Sequence, residues 1–155
     1  RLTSSFKLRK NYVGFRKVNC EYLQNVLGVD ISDLVKEAAI PNAMGKVRFI
    51  KVPKDAKSAQ SIVDQINKKI IMGEAKITDK AFTSISMCEK VNYFTHYPIQ
   101  FEIQMPVGTR GMLTNNWAES EFITKPNTVL EFLGSKVYNN NGISCIKIYA
   151  KMIQR

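Results

Sequence analysis

The 155-residue sequence predicts an α+β fold dominated by antiparallel strands. Two observations lead there. Helical periodicity is confined to the first half, where Ile62, Ile66 and Ile70 recur at four-residue spacing. After Gly73 the period changes to two. In PIQFEIQMP (98–106), Ile99, Phe101, Ile103 and Met105 share one face and Gln100, Glu102 and Gln104 the other. Helices first and strands second is the order of an α+β domain, since a doubly wound parallel sheet alternates the two throughout.

Taken in order, NYVGFRKV (11–18) is rich in Val, Tyr and Phe and predicts the first strand. Two short helices follow, EYLQNVLG and then DISDLVKEAA, the second with Asp30 as N-cap and Asp33 in its first turn. A loop around Pro41–Pro53 leads to a longer helix over Lys57–Met72, capped by Asp55 or Ser58. AFTSIS (81–86), PIQFEIQMP, AESEFIT, NTVLEFLGSKVY and ISCIKIYAKMI supply the strands of the second half.

Length fits one domain over residues 1–155, and 45% apolar with 23% charged residues is ordinary globular composition. No apolar run approaches the roughly 20 residues that span a bilayer. RLTSSFKLRK has basic residues with no hydrophobic region after them, so it does not read as a signal peptide. A start at Arg1 suggests a processed product or a piece of a longer chain. Cys20, Cys88 and Cys145 are odd in number and lack CxxC spacing, as free thiols in a reducing compartment do. His96 is the sole histidine, which leaves little for a histidine metal site or a Ser-His-Asp triad, and no metal is expected. The net charge of +10 suits an anionic partner: nucleic acid, an acidic protein or a phosphate-bearing cofactor. No RNP or GxxG pattern supports the first of these.

The chemistry centres on WAESEF (117–122). In an extended chain Glu119 and Glu121 turn to one face, with Cα atoms roughly 6.5–7 Å apart. Glycoside hydrolases place their carboxylates on opposite sides of the scissile bond, which two glutamates on one strand face do not readily do. They can act in sequence, one stabilising a cationic sugar carbon and the next deprotonating the nucleophile that approaches it. An isolated ExE reads equally as an exposed polar strand face. Two further features accompany it in order. FTSIS puts Ser84 and Ser86 on one strand face, where hydroxyls can orient a carboxylate or bind a ribose. GFRKV puts Arg16 in the first predicted strand, where a guanidinium can clamp a phosphate.

Arginine, then F-x-S-x-S, then E-x-E resembles the mono-ADP-ribosyltransferases with the Arg / Ser-x-Ser / Glu-x-Glu signature, a family that includes bacterial exotoxin catalytic domains and phage and eukaryotic enzymes. The resemblance runs from residue 11 to about 152 and is densest in YPIQFEIQMPVGTRGMLTNNWAESEFITKPNTVLEF. It implies two small, roughly perpendicular antiparallel sheets enclosing an NAD cleft, flanked by helices. It also implies transfer of ADP-ribose from NAD to an arginine of a target protein, with release of nicotinamide. Arg16 would hold the NAD phosphates, and the backbone at Lys17 would lie near the nicotinamide carboxamide. Ser84 would orient the catalytic glutamate, Glu121, and Ser86 would sit near the nicotinamide ribose. Glu119 would position and deprotonate the attacking side chain. Gly108–Ala118 would be the substrate-recognition loop, with Trp117 touching the target, and Tyr93 or Phe94 would stack on nicotinamide. Both aromatics fit equally as core residues.

Ile85 stands where the family usually has threonine. Only ten or so residues precede the first predicted strand, so the N-terminal NAD contacts of actin-directed toxins are expected to be absent or to lie outside this segment. The resemblance further implies a secreted or delivered enzyme acting in a reducing cytosol, with a delivery or translocation component as partner. Two other readings remain: an NAD glycohydrolase on the same fold, and a basic module that binds nucleic acid or modifies bases.

Overall fold

The computed structural model describes residues 2–41, 44–79, 83–87, 97–114, 121–140 and 142–154. Along them run β1 (Leu2–Lys7), β2 (Tyr12–Val18), α1 (Cys20–Leu27), β3 (Val35–Pro41), β4 (Val47–Pro53), α2 (Ala56–Ile71), β5 (Lys76–Asp79) and β6 (Thr83–Ser86). They continue as β7 (Ile99–Met105), β8 (Arg110–Thr114), β9 (Glu121–Thr124), β10 (Thr128–Asn140) and β11 (Ile143–Ile153). The class is α+β, as the change of period predicts.

Nine strands join in the order β1-β8-β9-β6-β2-β7-β11-β10-β5, while β3 and β4 form a separate ribbon. β7 and β11 run parallel, with Ile99 opposite Ile146; the other pairings are antiparallel. The ladder narrows at one point. β2 meets β6 through one residue pair, Phe15 with Ser86, whereas β2 meets β7 through seven, from Tyr12–Met105 to Val18–Ile99. Two smaller sheets therefore meet at that pair: β2, β7, β11, β10 and β5 on one side, β6, β9, β8 and β1 on the other.

Alternation decides which face is core. Ile99, Phe101, Ile103 and Met105 are all buried, and Ile146, Ile148 and Ala150 of β11 extend the same apolar face. Leu23 and Leu27 of α1 and Ile62, Val63 and Ile66 of α2 join it in one cluster, with Ile70 packed against its edge. The Phe101 ring meets Tyr22 and Phe132 edge-on, at centroid distances of 5.8 and 5.4 Å. Glycine is needed where strands crowd. A Cβ on Gly111 would lie 2.6 Å from the carbonyl oxygen of Ile123 and 2.4 Å from Phe122 Cζ.

Both helices begin at the expected kind of cap. Asn19 accepts from the Tyr22 N–H at 3.1 Å, and Gly28, at φ 68°, ends α1 in the left-handed region. Asp55 rather than Ser58 caps α2, its carboxylate accepting from the Ser58 N–H at 2.7 Å.

Four expectations need correction. DISDLVKEAA is not a helix: Asp30 Oδ1 accepts from Ser32 N–H at 3.0 Å and Ser32 Oγ–H at 2.6 Å, a local turn that competes with helix, and Asp33 follows at φ 64°. The chain then enters β3, which pairs with β4, so much of the expected loop before Pro53 is strand. Arg16 lies on the second strand of the fold, because the lead-in residues form β1 and pair with β8. Residues 110–114 of the expected recognition loop are β8, paired with both β1 and β9.

Candidate active site

The join between the two sheets gathers the motif residues. Ser86 stands opposite Phe15 on one side and Glu121 on the other, so Phe15, Ser86 and Glu121 form one row across β2, β6 and β9. Directly opposed residues have Cβ atoms roughly 4.5–5.5 Å apart and point to the same face. Ser86 and Glu121 are both half-buried, open enough to meet a ligand and enclosed enough to be held. Ser84 pairs with Ile123 instead, which makes it the diagonal neighbour of Glu121, roughly 7–8 Å away by register. Of the two serines, Ser86 is the one set beside the glutamate.

The row continues onto the larger sheet. Phe15 faces Glu102 of β7, and Glu102 faces Tyr149 of β11. In the next row Lys17 faces Gln100, and Gln100 faces Lys147. Lys147 lies 3.5 Å from Glu102, and its ammonium sits 5.9 Å from the centre of the Tyr149 ring. Tyr138 Oη donates to Gln100 Oε1 at 3.4 Å. Cys145 lies at the margin of this polar face. Burial pushes its thiol up to about 11, against the opposing influence of the Tyr138 hydrogen bond and the Lys17 charge. Alternation in QFEIQ carried the signal for Glu102 in the sequence, but Lys147 and Tyr149 join it only through the parallel pairing of β7 with β11.

Arg16 faces the other way. It follows Gly14 by two residues on β2, and a Cβ on Gly14 would lie 2.4 Å from Cγ2 of the buried Ile85, on the core side. The Arg16 guanidinium lies 5.4 Å over the Tyr22 ring of α1. The structure thus brings Ser86, Glu121 and Lys17 to one face and sets Arg16 on the other, one residue from the join. Tyr93, Phe94, Trp117 and Glu119 lie outside the described residues, as do Cys88 and His96.

Two cavities flank β2. One of 270 Å³ beyond its C-terminal end is lined by Asn19, Glu21, Arg48, Lys51 and Tyr97, among others. Glu21 Oε1 is buried there and accepts no hydrogen bond among the described residues. Arg48 Nη2 donates to Tyr97 Oη at 3.1 Å. The second, of 440 Å³, lies at the opposite end beside Tyr12, Gln104 and Lys151. No cluster of metal-ligating side chains occurs among the described residues, and no helix there is long and apolar enough to cross a membrane.

No protein-family model matches the sequence, and a search of curated proteins returns no match. Solved structures do match. C3stau2 of S. aureus, solved with NAD, superposes with a TM-score of 0.67 at 13% identity over 96% of this chain and 65% of its own. C3larvin, an ADP-ribosyltransferase toxin from Paenibacillus larvae, gives 0.63 at 16% over 96% and 64%. The ADP-ribosylating toxin BECa of a binary enterotoxin of C. perfringens, solved with NADH, gives 0.63 at 15% over 96% and 30%. The chain has the fold of these three proteins and spans under two thirds of the C3stau2 and C3larvin chains and under one third of BECa.

Proposed function

We propose that this chain is the catalytic unit of an NAD-dependent mono-ADP-ribosyltransferase that modifies arginine side chains of a target protein and releases nicotinamide. The observation that carries it is the pairing of Ser86 with Glu121 at the join of the two sheets, in a fold shared with ADP-ribosylating toxins. NAD, present in the C3stau2 structure, is the donor in this reading.

Glu121 stabilises the positive charge that grows on the ribose carbon as its bond to nicotinamide breaks and the ring leaves with the electron pair. A fixed, partly desolvated carboxylate is worth most against charge that appears only in the transition state. Ser86, directly across the ladder from Glu121, and Ser84, one diagonal step away, divide two tasks, one holding that carboxylate by hydrogen bond and the other meeting the ribose. Glu119 takes the proton that an arginine guanidinium must lose before its nitrogen attacks the ribose carbon. Arg16 and the Lys17 backbone serve the phosphates and the carboxamide, Tyr93 or Phe94 stacks on nicotinamide, and Trp117 meets the target. Sequence order supports these last assignments. A companion that delivers the enzyme to a reducing cytosol belongs to the same reading.

Nicotinamide release and protein labelling from labelled NAD, followed in parallel, test it. Glu121→Gln is expected to lower both by about 10²–10⁴-fold. Glu119→Gln is expected to abolish arginine labelling and keep much of the slow hydrolysis, because water needs less help to attack. Arg16→Lys is expected to raise KM for NAD with the fold intact, since lysine keeps the charge and loses the planar fork. Near wild-type arginine labelling by Glu119→Gln would remove arginine as the acceptor. A wild-type protein that releases no nicotinamide would remove the transferase reading itself.

A further inference from the structure

The β3–β4 ribbon stands outside the nine-stranded sheet. Its base is anchored, with Val52 and Pro53 buried, and nearer the turn Arg48 donates to Tyr97. Toward its turn the ribbon is apolar and exposed: Met44 is 82% exposed, Val47 58% and Phe49 68%. Val47 and Phe49 are two residues apart on β4 and so share a face, which the exposed Ala39, opposite Phe49, extends. Further along that face comes Lys51, opposite Glu37. Residues 35–54 carry five cations, Lys36, Lys46, Arg48, Lys51 and Lys54, against the single carboxylate of Glu37. Lys36 and Lys51 enter none of the ion pairs among the described residues.

A grouped apolar exposure of this kind marks a contact surface, and the cations around it call for an anionic one. The order along the strand selects which. Apolar side chains stand nearer the turn, and Lys51 stands nearer the base, roughly 7 Å from Phe49 at strand rise. A bilayer has that order along its normal, with apolar groups buried about 5–10 Å into the headgroup–acyl boundary and acidic headgroups above them. Lys46, in the turn, has a stem long enough to bring its ammonium back to headgroup level. A folded acidic protein imposes no such order.

We propose that the β3–β4 ribbon docks the protein on an anionic lipid surface. Val47 and Phe49 enter the headgroup–acyl boundary, and Lys46 and Lys51 meet the acidic headgroups. This goes beyond the transferase reading and stands independently of it.

Co-sedimentation with phosphatidylcholine vesicles, with and without phosphatidylserine, tests the proposal without any enzymatic readout. The wild type is expected to bind the phosphatidylserine vesicles and largely ignore the neutral ones. The double variant Val47→Ser/Phe49→Ser keeps the net charge, alters two exposed positions and is checked for fold by circular dichroism. It is expected to lose binding by about tenfold or more. In Phe49→Trp, indole emission is expected to shift to the blue when phosphatidylserine vesicles are added, relative to wild type. Three results overturn the proposal. The wild type could ignore both vesicle types. The serine variant could partition like wild type, which would assign binding to the diffuse positive charge of the chain. Or the ribbon could bind poly-glutamate and no vesicle, which would assign the face to an acidic protein.

Discussion

Ser86 and Ser84 differ by one step of the ladder, and that step makes them distinguishable. Ser86 faces Glu121, whereas Ser84 faces Ile123. A hydrogen bond to a charged group is worth about 1.5–3 kcal/mol, so Ser86→Ala is expected to slow nicotinamide release by about 10–100-fold. Ser84→Ala is expected to cost less. Steady-state rates on the two variants decide the order, and a larger loss at Ser84 would mean that the family assignment outranks the register. Asp55 provides a test independent of activity. The Ser58 N–H and hydroxyl hold its carboxyl below the usual value of 3.8. A depressed folded value means that the cap stabilises α2 above that pH and fades as pH falls through the lowered value. Asp55→Asn keeps a capping acceptor without the titration. Its melting temperature is therefore expected to depend less on pH than that of the wild type as pH falls below about 4. Parallel melting curves would refute the assignment.

Among the elements, Gly111 carries the tightest requirement. Because its added Cβ would run into the Ile123 carbonyl as well as the Phe122 ring, Gly111→Ala is expected to force β8 away from β9. The cost is about 1–3 kcal/mol, read by urea denaturation. A change below about 0.5 kcal/mol, the ordinary range for a benign substitution, would show that the pair relaxes freely. The elements also show what a one-dimensional pattern can and cannot carry. β7 and α2 were legible because each buries one face against a single large core, so period and burial coincide. Residues 30–41 misled because VKEAA has helix-forming composition, while the Asp30–Ser32 turn and the partner strand VRFIKVP, both local to the fold, direct it to β3. β1, β5 and β8 carry weak patterns of their own and are strands because of the neighbours they meet. In the site, serine and glutamate could be named from spacing, but that Ser86 rather than Ser84 opposes Glu121, and that Arg16 turns to the core side, are matters of register. Register depends on distant segments.

At the scale of the whole molecule, the two sheets have different tasks. The larger one, with α1 and α2 on its inner face, supplies most of the buried apolar surface and hence the stability. The smaller one carries Ser84, Ser86 and Glu121 and joins the ladder of the larger through one residue pair. Within the core, burial pushes the Cys20 thiol up to about 12, with Glu21 and Cys145 adding to the shift, so alkylation of that thiol is expected to await unfolding. The pairing of β1 and β2 also has a consequence in time. Lys7 lies beside Arg110 and Tyr12 beside Met105. During synthesis at about 5–20 residues per second, the first two strands wait on the order of 5–20 s for these partners. A fragment that ends at Pro98 is therefore expected to show no cooperative thermal transition, while the 155-residue chain melts in one. In the transferase reading, the Ser86–Glu121 pair cannot close until β9 has been made, so a growing chain is expected to release no nicotinamide before Glu121 has been added.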